Sequence, residues 1–329
     1  SDRPWSRERA QAIHDSFAEV VRQAKLRDAD FLFIAGDLFH RQPLLRELKE
    51  LDYLFSRLTH TQVVLMAGNH DYLKSTSYYR NYKWQGPVHM FLSQKPACME
   101  FKELGVRIYG LSYEEREITE PLYEKILPEK RGIASILLAH GGDEKHIPFR
   151  KNELLKLGYD YIALGHVHKP QKVPGCPKAR YSGSPLPFNV RETSFDKQVI
   201  AVTLTAGSPC TIRELPLPVY KPIEVWHCEN IDDAVEQCEA NADRECWVYL
   251  EVKTDYYIHE EDIKKMKAIK ADILSITPVL PEDESEDFSA SDLKEQPFDE
   301  LVKNFYRKKF HVDIGEETFS LLMSIIEEN

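Results

Sequence analysis

The chain has 329 residues and a formal net charge of −11, which is acidic for a protein that handles nucleic acid. Net charge governs solubility and long-range attraction, so it excludes a uniformly basic surface but leaves room for a local basic groove. The length predicts one large and one small domain. The 6 cysteines show no Cys-x-x-Cys pair, and no apolar stretch is long enough to cross a bilayer. Both observations argue against a disulfide scaffold or a membrane protein and favour a cytoplasmic protein with free thiols.

The first part of the chain alternates amphipathic helices with apolar strands. A helix is predicted over Ser6–Arg27, because Ala10, Ile13 and Phe17 form an apolar stripe at spacings of three and four residues. A second helix with the same kind of stripe is predicted over Leu44–Leu58. Between and after these helices lie short runs rich in Val, Ile, Leu and Phe, which read as buried parallel strands. This alternation predicts a layered α/β core.

Four of these apolar runs end in a short polar piece. In open α/β sheets, ligands bind outside the carboxyl ends of the strands. The polar residues of the four pieces are therefore expected to lie together at one edge. The runs and their pieces are Asp30–Ala35 with GDLFH at Gly36–His40, Gln62–Ala67 with GNHD at Gly68–Asp71, Ser135–Ala139 with AHGG at Ala139–Gly142, and Tyr159–Leu164 with GHVH at Gly165–His168.

Further strands are predicted in the same half of the chain and beyond it, building a second sheet. After Pro216–Pro218 the pattern changes to a small α/β unit with predicted helices at Ile231–Ala240 and Glu260–Ile269. An acidic segment without apolar periodicity follows and reads as an exposed linker. Two short amphipathic helices are predicted at Phe298–Phe310 and Glu316–Glu327. The strands predicted for the second sheet are Val88–Leu92, Met99–Phe101, Val106–Leu111 and Val199–Leu204.

The polar pieces predict a two-metal site with oxygen and nitrogen ligands and no sulfur, which suits Mn, Fe, Zn or Mg. Asp37 is the natural bridge, because a carboxylate can bind two cations. His140 lies in the AHGG piece, and Asn69 supplies a neutral carbonyl oxygen. His166 and His168 are two residues apart and could serve one cation each. A full set for one cation is Asp37, Asn69, His140 and His166, whereas the second cation keeps only Asp37 and His168.

His70 is the candidate proton-handling group, because it lies beside Asn69 and can stay free of metal. Asp71 is expected to orient it. The other histidines lack this context and are interpreted as ordinary residues. They are His14, His60, His89, His146, His227, His259 and His311.

The order GD…GNHD…H…GHxH resembles the signature of the calcineurin-like metallophosphoesterases. GDLFH, GNHD, the DYIALGHVHKPQ segment and RYSGSPLPF at Arg180–Phe188 resemble one branch, the DNA double-strand-break repair nucleases that include the bacterial SbcD subunit. The resemblance implies a two-sheet sandwich flanked by helices and two divalent metal ions, manganese in particular. It also implies 3′-to-5′ exonuclease and endonuclease activity on DNA ends, and a homodimer. His40 is implied to line the DNA path.

The same resemblance implies an organisation for the whole chain. Residues 1–217 would be the nuclease domain, 218–280 a capping domain that grips DNA, 281–297 the acidic linker, and 298–329 a helical segment. That segment would clasp an SMC-like ATPase subunit of the SbcC type. Basic residues that flank the site are candidates for DNA binding, with solvated loops as the alternative. They are Lys145, Arg150, Lys151, Lys169, Lys172 and Arg180.

One motif of the family has no counterpart in the sequence. The family's first strand ends in Asp-x-His, and we expect a strand carrying it upstream of Ser1. Two alternatives to the nuclease stay open. One is a small-substrate phosphodiesterase or phosphatase on the same core, and the other is a catalytically impaired DNA-binding scaffold.

Overall fold

The computed structural model describes residues 6–129, 132–205, 209–254 and 257–280, together with Lys303, Gly315, Phe319 and Met323. The helices are α1 Ser6–Leu26, α2 Leu45–Phe55, α3 Lys151–Lys156, α4 Ile231–Ala240 and α5 Glu260–Ile269. The strands are β1 Phe31–Ala35, β2 Gln62–Met66, β3 Val88–Met90, β4 Ala97–Phe101, β5 Val106–Gly110, β6 Ala134–His140, β7 Tyr161–Gly165, β8 Gln171–Val173, β9 Cys176–Tyr181, β10 Gln198–Thr203, β11 Thr211–Pro216, β12 Ile223–Cys228, β13 Trp247–Lys253 and β14 Ile273–Val279.

Two sheets form the larger unit. The first is parallel, in the order β1–β2–β3, with Ala35 opposite Met66. The second has the order β4–β5–β6–β7–β9–β8, in which β5, β6, β7 and β9 run parallel and the edge strands β4 and β8 run antiparallel to their neighbours. The four polar pieces therefore follow parallel strands, two in each sheet.

Alternation along the strands builds three apolar layers. In β2, Val64 and Met66 pack toward the second sheet, whereas Val63 and Leu65 pack under α1 and α2. In β6 and β7, alternate side chains likewise point to opposite faces of the sheet. One set packs between the two sheets, and the other set belongs to a third apolar cluster on the outer face of the second sheet. Both faces of these strands are covered, which explains why they read as continuous apolar runs. The expected fold class, a helix-flanked two-sheet sandwich, is confirmed.

The strands predicted for a single second sheet are distributed differently. Val88–Met90 pairs with β2 in the first sheet. Ala97–Phe101 and Val106–Gly110 lie in the six-stranded sheet. Gln198–Thr203 pairs with Thr211–Pro216 in a two-stranded ribbon. Membership of a sheet depends on long-range pairing, which short apolar runs of similar composition do not reveal.

The carboxyl ends of the two sheets meet at one place. The backbone of Gly165, at the end of β7, lies so close to Ala35 that an added Cβ would run into the Ala35 carbonyl oxygen. Glycine therefore allows β1 and β7 to cross in contact. A cleft of about 2400 Å³ opens beside this crossing, lined by apolar residues of α1, β1 and β10 and by His70 and His168.

The small unit after Pro218 has its own parallel sheet, β12–β13–β14, covered by α4 and α5. Its core includes Cys238, Val248 and Met266, all fully buried. We call this unit the cap; it lies within the predicted capping domain, whose boundaries stay a prediction. The cap contacts the larger unit where β12 packs on the 3-10 helix Val190–Ser194. Its two helices are confirmed with the bounds expected from the sequence.

The acidic linker and most of the C-terminal helical segment lie outside the described residues. In that segment the ammonium group of Lys303 lies 4.6 Å from the centroid of the Phe319 ring. Within the part of the chain that the structure describes, no helix is both long and apolar enough to cross a membrane. The six cysteines are all free thiols, as expected.

Candidate metal centre

Asp37 lies directly after β1 and enters the site through a tight turn. Gly36 and Asp37 both have positive φ, 81° and 51°. One carboxylate oxygen, Oδ1, accepts a hydrogen bond of 2.9 Å from the backbone N–H of His70. The other, Oδ2, lies 3.2 Å from Nε2 of His140. A Cβ on Gly68 would collide with this carboxylate, so the glycine of the GNHD piece makes room for Asp37.

Backbone strain marks the same place. Asp37 and His166 are two of the four non-glycine residues with positive φ among the described residues, and His166 has φ 94°. Such conformations cost of order 1–3 kcal/mol each and persist where the surroundings enforce them, most often at functional sites. Both strained residues belong to the ligand set expected from the sequence.

His140, the last residue of β6, is completely buried. Its Nδ1 lies 2.7 Å from the carbonyl oxygen of Ala35, which can only accept, so Nδ1 carries a hydrogen. Its Nε2 lies 2.9 Å from Oδ1 of Asn69 and 3.2 Å from Asp37. In a neutral ring this nitrogen presents a lone pair to two oxygen acceptors.

His166, in the GHVH piece, completes the convergence. Its Nδ1 lies 3.2 Å from Oδ1 of Asn69, and its Nε2 lies 2.7 Å from Oδ2 of Asp143. Ligand atoms of Asp37, His140 and His166 all lie within 4.8 Å of one another. Buried acceptors that face one another without a donor are costly. A cation satisfies all of them, and a nitrogen and oxygen donor set of this kind fits a divalent transition metal.

The local charges favour a positive group at this point. Burial opposes protonation of His140, but its hydrogen bond to Asp37 and the charge of Asp37 raise the pKa of the imidazole. Burial likewise opposes ionisation of Asp37, yet the contact with His140 holds the pKa of that carboxyl below its usual range. A bound divalent cation would supply the same compensating charge. The residues present therefore fit one metal ion.

His168 lies apart from this group. Its Nδ1 lies 2.8 Å from Oε1 of Glu192, a buried carboxylate. Oε2 of Glu192 also accepts hydrogen bonds from Ser184 and from the buried ammonium of Lys197. Among the described residues, the clusters of His and Asp ligand atoms that fit within 4.8 Å do not include His168. Its role on a second cation stays a prediction.

His70 and His40 form a pair beside the metal centre, with ring centroids 4.5 Å apart and nearly parallel planes. Partial burial lowers the pKa of His70, although the nearby charge of Asp37 acts in the opposite direction. Among the described residues, the groups of ligand atoms that lie within 4.8 Å do not include His70, so its ring is left to donate or accept a hydrogen bond.

The expectation that Asp71 orients His70 is wrong. The Asp71 carboxylate is fully buried and accepts hydrogen bonds from the backbone of Gly68 at 2.8 Å and from the Tyr79 hydroxyl at 3.0 Å. Burial and the charge of Asp37 raise its pKa to about 6. The side chain turns toward the core because the backbone N–H of Gly68 and the Tyr79 hydroxyl donate hydrogen bonds to it. Its contribution is to hold that turn closed.

The basic residues expected to contact DNA are only partly free. Arg150 forms a two-point contact with Glu124, and the Lys145 ammonium lies 3.4 Å from Glu117. Lys172 and Arg180 sit opposite each other on β8 and β9, and Arg180 is 3.7 Å from Glu214. Lys169 is exposed, and the side chain of Lys151 lies outside what the structure describes. Their part in DNA binding stays a prediction.

Comparison with known proteins agrees with this geometry. Residues 11–170 match the model of the calcineurin-like phosphoesterase family. Residues 219–310 match the SbcD_C model, described as the Type 5 capsule protein repressor C-terminal domain. The chain thus carries a calcineurin-like metallophosphoesterase domain followed by an SbcD_C domain.

This metallophosphoesterase is similar to several curated proteins, three of which are described here by name. It is 29% identical over 174 residues to the SbcD subunit of the SbcCD nuclease of Bacillus subtilis, which covers 51% of the chain and 44% of that relative. It is 32% identical over 216 residues to the uncharacterized metallophosphoesterase YhaO of the same organism, with 60% and 52% covered. It is 27% identical over 215 residues to the DNA double-strand break repair protein Mre11 of Methanopyrus kandleri, with 58% and 47% covered. The chain thus spans about half the length of these curated relatives.

Sequence reasoning missed three side chains of the metallophosphoesterase site. His146 was interpreted as ordinary, but its ring lies 4.5 Å from that of His166 and its Nδ1 lies 2.8 Å from Asp143. Asp143 and Glu192 were not singled out at all. The spacing Asp143-x-x-His146 directly after AHGG was an available signal. Glu192 had none, because it lies 24 residues beyond His168 in a short 3-10 helix without a recognisable motif.

Proposed function

We propose that this metallophosphoesterase is a DNA nuclease subunit that acts on DNA ends with 3′-to-5′ exonuclease and endonuclease activity. The observation that carries the proposal is the convergence of Asp37, Asn69, His140 and His166 acceptor atoms at the joint carboxyl edge of two sheets. The names of the SbcD and Mre11 relatives support DNA as the substrate class.

Each residue has a task that follows from its position. Asp37, Asn69, His140 and His166 would hold one divalent cation, and Asp37 with His168 would contribute to a second, with manganese as the metal. When bound, the cations supply charge stabilisation at the phosphate and activate the attacking water. His70, held next to Asp37 through its backbone, would donate a hydrogen bond to the leaving 3′ oxygen. His40, stacked on His70, would line the path of the substrate.

The test uses the full chain with manganese and two substrates, a linear duplex and a small chromogenic diester. We expect cleavage of the duplex that a chelator abolishes. His70→Gln should reduce cleavage by roughly 100- to 10,000-fold, the usual contribution of a positioned acid or base. The manganese content measured by elemental analysis should stay near that of the wild type, because His70 is not a ligand.

His60→Gln is the matched control, because His60 is exposed and pairs with Asp30 away from the site. Its activity should equal that of the wild type. Equal loss of metal and activity in His70→Gln would contradict the assigned role. Efficient turnover of the small diester without cleavage of the duplex would instead favour a small-substrate phosphodiesterase.

The C-terminal segment, residues 298–329, is proposed to bind an SMC-like ATPase subunit. The amphipathic pattern of its predicted helices and the name of the SbcCD nuclease relatives support this. Deletion of the segment should spare manganese-dependent activity of the isolated chain and abolish ATP-stimulated activity and co-elution with the ATPase. A complex that survives the deletion on size exclusion at micromolar concentration would rule this partner surface out.

A further inference from the structure

Asp143 is a heavily hydrogen-bonded carboxylate beside the metal centre that the proposed function does not use. Its Oδ1 accepts from the backbone N–H groups of Lys145 and His146, at 2.9 and 3.1 Å. Nδ1 of His146 lies 2.8 and 2.9 Å from its two oxygens. Its Oδ2 lies 2.7 Å from Nε2 of His166. An aspartate side chain is ionised at neutral pH.

The ionised Asp143 carboxylate can only accept hydrogen bonds. The hydrogen of a neutral His166 ring must therefore sit on Nε2, and Nδ1 keeps its lone pair. That lone pair is on the nitrogen that lies 3.2 Å from Asn69, on the side where the acceptors of Asp37 and His140 converge. The Asp143 contact thus selects the tautomer of His166 that can bind a cation.

His140 and His168, at the same carboxyl edge, are also fixed in one tautomer by a neighbouring acceptor. The Ala35 carbonyl fixes the hydrogen of His140 on Nδ1, and Glu192 does so for His168. An outer carboxylate or carbonyl that fixes the tautomer and orientation of a ligating histidine is typical of metal sites.

Two glycines, Gly141 and Gly142, shape the turn that brings Asp143 to His166. Gly141 and Gly142 have φ of 123° and 118°, a conformation that residues with a Cβ rarely adopt. A Cβ on Gly141 would also meet the carbonyl oxygen of His146. The glycine pair therefore lets the segment turn back, so that the His146 ring packs at 4.5 Å against that of His166.

We propose that Asp143 is a positioning residue, supported by His146, that holds His166 with Nδ1 directed at the cation. The inference rests on the cation site of the proposed function. A separate cation held by Asp143, His146 and His166 is the competing arrangement, since their ligand atoms also lie within 4.8 Å. The backbone N–H groups on Oδ1 favour the positioning role, because hydrogen-bond donors already occupy the space around that oxygen.

The experiment measures manganese binding to the full chain by titration calorimetry. Asp143→Ala should weaken binding by about 10- to 100-fold, the usual effect of losing such an outer partner. Asp143→Asn keeps an oxygen acceptor and should weaken it less. Glu144→Ala, at the exposed neighbouring position, is the matched control and should bind like the wild type.

A second readout is the tautomer itself. In metal-free protein labelled with ¹⁵N-histidine, long-range ¹H–¹⁵N correlation spectra should show the His166 hydrogen on Nε2 in the wild type. Asp143→Ala should give a mixture of both tautomers while the melting temperature stays that of the Glu144→Ala control. A merely structural role would leave this signature unchanged.

The outcomes separate the two proposals. A wild-type chain that binds no manganese overturns the proposed function and this inference together. A wild-type chain that binds manganese, with Asp143→Ala indistinguishable from Glu144→Ala, overturns the inference alone. Loss of one ion from the stoichiometry in both Asp143→Ala and His146→Ala, with unchanged affinity for the rest, also overturns it and identifies a separate cation site.

Discussion

The metal centre and the cap both bury polar groups, but they satisfy them in opposite ways. In the cap, the ammonium of the fully buried Lys270 donates to the carbonyls of Ala242 and Arg244 and to the carboxylate of Asp272. Asp272 in turn accepts from Lys221. At the metal centre, Asp37, Asn69 and His140 turn acceptor atoms toward one another.

The buried polar groups of the cap find their partners within the chain, whereas those of the metal centre favour a bound cation. A buried charge whose partners are all supplied by the chain stabilises one conformation by itself. A buried group of acceptors that face one another is an internal cost that a bound cation offsets. Variants of the two regions should therefore respond differently to metal.

The largest expected effect is at Asp37. Asp37→Asn removes the only negative charge of the Asp37–Asn69–His140–His166 set, so manganese affinity should fall by more than about 100-fold, beyond the effect of losing an outer partner. Cleavage of DNA should become undetectable. Titration calorimetry and a nuclease assay measure both losses.

Asp28→Asn is the control for this variant, because Asp28 also has a positive φ, 48°, but is exposed and outside the site. It should retain wild-type affinity. Manganese should raise the melting temperature of the wild type and of Asp28→Asn but not that of Asp37→Asn, because the cation site is lost in that variant. An equal rise in all three proteins would show that Asp37 does not hold the cation.

A smaller effect is expected in the cap, and on stability rather than metal binding. Lys270→Met leaves buried carbonyls without a donor and should lower the free energy of unfolding by roughly 3 kcal/mol. Urea denaturation monitored by tryptophan fluorescence measures this, because Trp247 lies in the same unit.

Lys264→Met, on the helix α5 that precedes Lys270, breaks only an exposed pair with Glu260 and should cost less than about 0.5 kcal/mol. Both lysine variants should bind manganese like the wild type. A loss of manganese affinity in Lys270→Met would show that the cap and the metal centre are coupled rather than independent.

The response of the wild type to metal should be slightly smaller than the effect of Lys270→Met. Manganese at 100 times its dissociation constant should stabilise the folded chain by about 2.7 kcal/mol. Hydrogen exchange should show added protection in Gly36–His40 and Gly68–Asp71 and none in β12–β14. Equal added protection in both regions would contradict the claim that manganese stabilises the metal centre and not the cap.

The local patterns of the sequence predicted the elements that hold the site. The runs before GDLFH, GNHD and GHVH are strands; the latter two are buried on both faces, and the first is mostly half-buried. The cap helices begin and end where their apolar spacing indicated. Polar residues that follow such strands lie at the carboxyl edge, which is why Asp37, Asn69, His140 and His166 could be grouped before any coordinates. The assignment of strands to one sheet or the other could not be predicted, because equally apolar runs do not indicate which strands they pair with.

Tertiary structure alone decided which groups surround each histidine. Periodicity is a property of residues two to four apart, whereas His166 meets Asn69 across 97 positions and Asp143 across 23. Asp71 looked available for His70 from adjacency, yet the folded turn gives its carboxylate to Gly68 and Tyr79. Residue types determined that a cation could bind at this edge. The hydrogen-bond partners that aim each imidazole depend on contacts formed only when both sheets are assembled, so no local pattern encodes them.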